Sequence, residues 1–122
     1  MKVVVGYRAT EPGRAALAEA VSHGRAHGSE LVLVVPAAER ADADDALAAA
    51  GAEAEVVEVG DDRQAETELL DRSYEDDTQM LVIGLRRRSP VGKLFLGSTA
   101  QRLLLEAGCP VVAVKPEVAP RR

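Results

Sequence analysis

Met80-Leu-Val-Ile-Gly-Leu-Arg-Arg-Arg-Ser-Pro-Val-Gly-Lys-Leu-Phe-Leu-Gly-Ser-Thr99 is the stretch that decides the fold. An unbroken apolar run leads into a cationic, glycine-bearing loop and ends on a Gly-Ser-Thr that opens a helical pattern. Strand, loop and helix in that order are the working part of an α/β unit. The first-turn N–H groups of such a helix lack intrahelical partners and sit at the positive end of its dipole, so the loop is built to receive an anion, with phosphate the expected type. Ser98 is the expected cap of this helix.

Working outward, four more apolar runs of strand length appear: Lys2 to Tyr7, Glu30 to Val35, Ala54 to Val59 and Pro110 to Lys115. They are continuous and valine-rich, as in strands covered on both faces, and helical segments separate them. The expected fold is therefore a single-domain α/β protein with a five-stranded parallel sheet, doubly wound with strand order 3-2-1-4-5, Rossmann-like. The domain spans 1–116, and the tail 117–122, which carries Pro120 and follows Pro116, is expected to fray.

Helix limits are marked. The first helix opens at Thr10-Glu11-Pro12, carries Leu17, Ala20, Val21 and Gly24 on one face, and stops by Gly28. The second, Arg40 to Ala50, is alanine-rich with a thin apolar stripe and ends at Gly51. The third runs from about Arg63 to Tyr74 with Asp61 and Gln64 as a capping box and Ala65, Leu69 and Leu70 toward the core. The fourth, Ser98 to Ala107, presents Ala100, Leu103, Leu104 and Ala107, and Gly108 and Pro110 end it.

Composition narrows the function. The 122 residues are 47% hydrophobic and nearly free of aromatics (Tyr7, Tyr74 and Phe95), which leaves no stacking platform for single-stranded nucleic acid. From Thr78 to Leu105 there is no acidic residue, while Arg86, Arg87, Arg88, Lys93 and Arg102 are cationic; in a chain of net charge −5 the remainder carries −10. A local basic patch on an acidic protein favours a small anionic ligand over bulk nucleic acid, and on charge alone a solvated arginine loop is the alternative. The lone Cys109 excludes an internal disulfide and fits a reducing compartment. Apolar runs fall far short of a membrane span, and the chain enters a strand at Lys2, so a cytoplasmic protein without membrane contact is expected.

In an open sheet of order 3-2-1-4-5 the ligand crevice lies beyond the carboxyl ends of strands one and four. The loops Tyr7 to Gly13 and Gly84 to Ser98 meet there. Other chemistries lack their residues. Gly92-Lys93 is followed by Leu94 and has no P-loop spacing, no Gly-x-Ser-x-Gly elbow occurs, and no Gly-x-Gly-x-x-Gly follows the first strand. His23 and His27 share a helix face without a third metal ligand, and the acidic pairs lack EF-hand spacing. No catalytic residue and no metal site is assigned.

Gly84, Gly97 and Ser98, flanked by Leu81-Val-Ile-Gly84 and by Leu103-Leu-Leu-Glu-Ala-Gly-Cys-Pro-Val-Val-Ala-Val-Lys115, together with Gly13-Arg-Ala-Ala-Leu17, make the chain resemble the universal stress protein family over nearly its whole length. The family signature is Gly, two residues, Gly, nine residues, Gly, then Ser or Thr; here Arg87 stands at the second glycine. The resemblance implies a five-stranded α/β domain, a homodimer through the C-terminal strand Val111 to Lys115, and, in one branch, ATP held by this signature and by an aspartate after the first strand. Arg8 stands where that aspartate belongs, and a cation accepts no hydrogen bond from ribose or adenine. The implied nucleotide or anion site comprises Tyr7, Arg8, Ala9, Val35, Gly84, Arg86, Arg87, Lys93, Gly97, Ser98 and Thr99. Both exchanges point to altered nucleotide specificity with anion affinity retained. The expected function is a non-enzymatic stress-response protein that requires no cofactor and accepts ATP or another adenine nucleotide. A nucleotide-independent dimeric interaction module is the alternative, and an ATP-hydrolysing enzyme ranks last.

Overall fold

Strand residues of alternating parity bury themselves on opposite sides of one sheet, and this alternation sets the architecture. The computed structural model describes residues 1–87 and 94–116, without the side chains of Arg87, Leu94 and Phe95. Its strands β1 (Lys2–Gly6), β2 (Glu30–Pro36), β3 (Glu55–Val59), β4 (Thr78–Gly84) and β7 (Val111–Val114) form a parallel sheet in the order β3-β2-β1-β4-β7. Counted within the sheet this is 3-2-1-4-5, as expected. A two-residue antiparallel ladder, β5 (Arg86–Arg87) with β6 (Leu94–Phe95), was not foreseen; it is too short to leave a periodic trace in sequence. The expected tail, 117–122, lies outside the described residues.

Helices α1 (Glu11–His27) and α2 (Arg40–Ala50), the latter led by a 3-10 turn at Ala37–Glu39, cover one face. There Val3, Val5, Leu33 and Val35 pack with Ala16, Leu17, Ala20, Val21, Ala43 and Leu47. Helices α3 (Asp62–Ser73) and α4 (Ser98–Glu106) cover the other, over Val4, Val32, Val34, Leu81 and Ile83. At roughly 1.5–3 kcal/mol per fully buried aliphatic side chain, these two layers supply the main driving force for folding.

The helix ends follow their sequence marks. Thr10 Oγ1 accepts from Gly13 N at 3.1 Å, and Asp61 Oδ1 from Gln64 N at 2.9 Å. Gln64 Oε1 reaches back to Gly60 N at 2.6 Å, one residue beyond the cap's own N–H that a capping box engages. Gly28 and Gly51 end α1 and α2 at φ of 67° and 62°, a region open to glycine and costly for other residues. Two expectations for α4 need correction. Its cap is Gly97, without a side-chain cap bond, and Ser98 is already the first helical residue. Leu104 is 42% exposed, because a residue adjacent to Leu103 is rotated by about 100° from the line on which Ala100, Leu103 and Ala107 meet α3 and the sheet.

Two glycines bring α1 against the sheet ends. A Cβ on Gly84 would lie 2.1 Å from Pro12 O, and one on Gly13 would lie 2.0 Å from Arg8 O. The β1–α1 loop thus folds tightly onto the end of β4, and the crevice opens beside this contact on the α3/α4 side.

A candidate ligand crevice between β1 and β4

Sheet order reverses between β1 and β4, so their outgoing chains diverge to opposite faces and leave a cavity of about 570 Å³. That is the size of a small-molecule site. Its floor is apolar: Val34, Ile83, Ala65, Leu69, Ala100 and Leu103. Gly6, Tyr7, Arg8, Thr10, Pro12 and Gly13 line the β1 side, and Gly84, Leu85 and Arg86 the β4 side. Gly97, Ser98 and Thr99 bring the start of α4 to the wall. With no side chain capping this helix, its first-turn N–H groups and the Ser98 and Thr99 hydroxyls offer donors to a ligand.

The opposite wall is acidic. Asp62 and Glu66, one turn apart on α3, also line the cavity. Glu66 is mostly buried and receives Arg102 Nη1 at 2.7 Å. Asp62 stays 64% exposed and pairs with Arg8 Nη1 at 2.9 Å. Of the cations between Thr78 and Leu105, Arg102 is thus matched in space by an acid of α3, Glu66.

Arg8 is the hub. Its Nε donates to both oxygens of Glu39, at 3.2 and 3.0 Å, and this hydrogen bonding is the leading reason its guanidinium is held charged. Ala9 N donates to the same Glu39 carboxylate at 2.7 Å. Burial alone would raise the Glu39 carboxyl; the Ala9 N–H and the Arg8 guanidinium outweigh it and hold the group below the usual range. Glu39 thus serves as a resident anion for the β1–α1 loop, holding the Ala9 N–H and the Arg8 guanidinium.

Tyr7 is fully buried, and its hydroxyl donates to Asp42 Oδ1 on the α2 side. Burial, then this bond, pushes its phenol up to about 12. Asp42 in turn is held low by the Tyr7 hydroxyl and by Arg14, whose Nη2 donates to Oδ2 at 2.8 Å.

A universal stress protein family model matches residues 34–115, two thirds of the chain. A universal stress protein of Mycolicibacterium smegmatis is 41% identical over 126 residues, covering 93% of this chain and 97% of that one. The chain belongs to the universal stress protein family. A Thermus aquaticus relative, a universal stress protein in a QAH/OAS sulfhydrylase 3′ region, is 29% identical with the same coverage. Among solved structures, the universal stress protein of Archaeoglobus fulgidus superposes with a TM-score of 0.67 at 27% identity, covering 92% of this chain and 96% of that one. A universal stress protein solved in complex with cAMP gives 0.70 at 18% identity, covering 96% and 98%, which speaks for the fold.

Of the residues the sequence assigned to this family's site, Tyr7, Arg8, Gly84, Arg86, Gly97, Ser98 and Thr99 meet at the crevice. Val35 does not: it is buried against α1 and α2, and its neighbour Val34 faces the cavity, a one-residue difference that the pleat turns into opposite faces. Ala9 is not part of the wall, and its N–H is committed to Glu39. Lys93 and the Arg87 side chain lie outside the described residues. Asp62, Glu66 and Glu39 were missed. Asp62 and Glu66 carry only the i, i+4 spacing of one helix face as a sequence trace, and Glu39 carries none.

His23 and His27 stack with centroids 4.2 Å apart, and no cluster of three or more metal-ligating side chains occurs among the described residues. No described helix is long and apolar enough to cross a membrane.

Proposed function

We propose that this universal stress protein binds a small anionic ligand of the adenine-nucleotide type in the β1/β4 crevice and acts through binding instead of catalysis. The observation that carries the reading is the start of α4, without a side-chain cap, opening into a nucleotide-sized cavity with an apolar floor. The cAMP complex of a fold neighbour supports adenine nucleotides as probes. In favour of a non-enzymatic role, the described cavity wall offers no His or Cys as nucleophile or base. Its carboxylates are engaged by arginines.

Titration calorimetry and thermal unfolding with AMP, cAMP and ATP test the reading. Saturable binding should stabilise the fold by about 2.7 kcal/mol at a hundredfold excess over Kd. Affinity should fall steeply with salt, as expected where charge contacts dominate. Absence of any thermal shift at millimolar nucleotide would refute it, and steady phosphate release from ATP would refute the non-enzymatic part.

The nucleotide-independent dimer module has its own supporting observation. Leu81 N donates to Pro110 O and Leu85 N to Val114 O, so alternate residues of β7 bond inward to β4 and leave Val111 and Ala113 directing backbone groups to the open edge. We propose homodimerisation through this edge, in line with the need to cover an apolar edge strand.

A further inference from the structure

We infer that Asp62 is a specificity-determining residue, accepting hydrogen bonds from a ribose-type hydroxyl of the ligand, and that the crevice selects phosphorylated nucleosides over bare polyphosphates. The inference rests on the nucleotide reading of the crevice and names the part of the ligand that the acidic wall recognises.

The cavity is bipolar. Donors stand on the α4 side, where Ser98 and Thr99 line the wall and the helix start lacks a side-chain cap. Acceptors stand on the α3 side, where Asp62 and Glu66 line the same space. An apolar floor lies between them. A purely anionic ligand satisfies the first wall and gives the acceptors of the second no donor to bond. A ligand with an anionic end, an apolar middle and hydroxyl donors satisfies both.

Of the two acids, Glu66 is 17% exposed with its Oε2 occupied by Arg102 at 2.7 Å. Asp62 is 64% exposed and anchored through Oδ1 by Arg8 at 2.9 Å. A carboxylate has about four lone-pair sites, so a single guanidinium leaves it room to accept from a ligand. Arg8 also binds Glu39, so the guanidinium is fixed from behind and acts as a positioning residue for Asp62.

The test measures binding of AMP, 2′,3′-dideoxy-AMP and inorganic tripolyphosphate by calorimetry, in wild type and in Asp62→Ala and Asp62→Asn. Wild type should prefer AMP over its dideoxy form by about tenfold, the worth of one hydrogen bond to a charged group. Asp62→Ala should weaken AMP by about the same factor and leave dideoxy-AMP unchanged, abolishing the preference. It should hold or tighten tripolyphosphate binding, since Arg8 loses a competing carboxylate. Asp62→Asn, which keeps one acceptor oxygen, should fall between. Because the Arg8–Asp62 pair is solvent-exposed, its loss leaves the fold intact. Equal weakening of AMP and dideoxy-AMP, or an unchanged hydroxyl preference in Asp62→Ala, overturns the inference while the nucleotide reading stands. Wild type that binds tripolyphosphate but no nucleotide overturns both.

Discussion

Gly84→Ala isolates what the first glycine of the family signature does for the fold. Gly84 does not have a positive φ, so alanine is free to adopt its backbone conformation and any penalty is steric. The added Cβ would lie 2.1 Å from Pro12 O, 2.4 Å from Pro12 C and 2.8 Å from Pro12 Cβ, where real contacts begin beyond 3 Å. The nearest atoms are backbone, at the first turn of α1, and cannot swing away as a side chain does. Relief requires moving the α1 start off β4, which strains the Thr10 cap and the tight turn in which Gly13 approaches Arg8 O. Overpacking of this kind costs about 3 kcal/mol, the upper end for one methyl group. For a chain of this length that lowers the melting temperature by roughly 12 °C. Equilibrium denaturation with matched slopes gives the free energy directly. Gly28→Ala provides a contrast: nothing lies within 4 Å of its Cβ but its φ is 67°, so it should cost only about 1 kcal/mol. A Gly84→Ala unfolding free energy within about 1 kcal/mol of wild type would refute the reasoning. So would rescue by Pro12→Gly, because the predicted obstacle is a carbonyl that this change retains.

Tyr7→Phe should cost about 1.5 kcal/mol at neutral pH by removing the hydrogen bond to Asp42. In wild type the unfolded phenol ionises near pH 10 and the folded one near pH 12, so the unfolded state binds fewer protons in that window and stability falls as pH rises through it; denaturation curves of Tyr7→Phe should lack this alkaline component, and persistence of the full slope would count against it. Arg8→Asp would bring a third carboxylate beside Glu39 and Asp62, and should destabilise by about 1–2 kcal/mol, partly recovered in high salt, as read by melts across ionic strength. Glu39→Ala should accelerate hydrogen exchange at the Ala9 amide, whose acceptor it removes; unchanged protection there would contradict the resident-anion role. Ala113→Pro deletes an outward donor while sparing the inward ladder, so sedimentation should show a weakened dimer with the monomer still folded.

The sheet was legible because β1, β2 and β4 each carry a continuous run of Val, Leu or Ile that burial on both faces explains, whereas the edge strand β3, Glu55-Val-Val-Glu-Val59, is only partly buried. Helix limits were legible where one residue does one local job. Thr10 and Asp61 each bond an N–H three residues on, and Gly28 and Gly51 each take a positive φ. Legibility stops where the outcome depends on phase. Val34 and Val35 are the same residue in adjacent places, and only the pairing of Val5 with Leu33 and of Gly6 with Val34 decides which one meets the cavity. Leu103, Leu104 and Leu105 are likewise identical in sequence, yet Leu103 is buried while Leu105 is 84% exposed, because α3 lies along one line of α4.

The site fails to read linearly for a different reason. Its charge balance is made by residues whose separation along the chain is set by folding: Arg8 with Glu39 and Asp62, and Arg102 with Glu66. A count along the chain finds an acid-free basic stretch; the fold sets α3 beside α4 and pairs Arg102 of that stretch with Glu66. Arg8 seen alone is the loss of an acceptor. Seen with its partners, it is a cation whose charge is already spent, once on Glu39 to hold the β1–α1 loop and once on Asp62 to hold a carboxylate at the cavity wall. On the proposed nucleotide reading, Asp62 of α3 is the acceptor that the loop after β1 does not offer, and Arg8 is what holds it at the cavity wall.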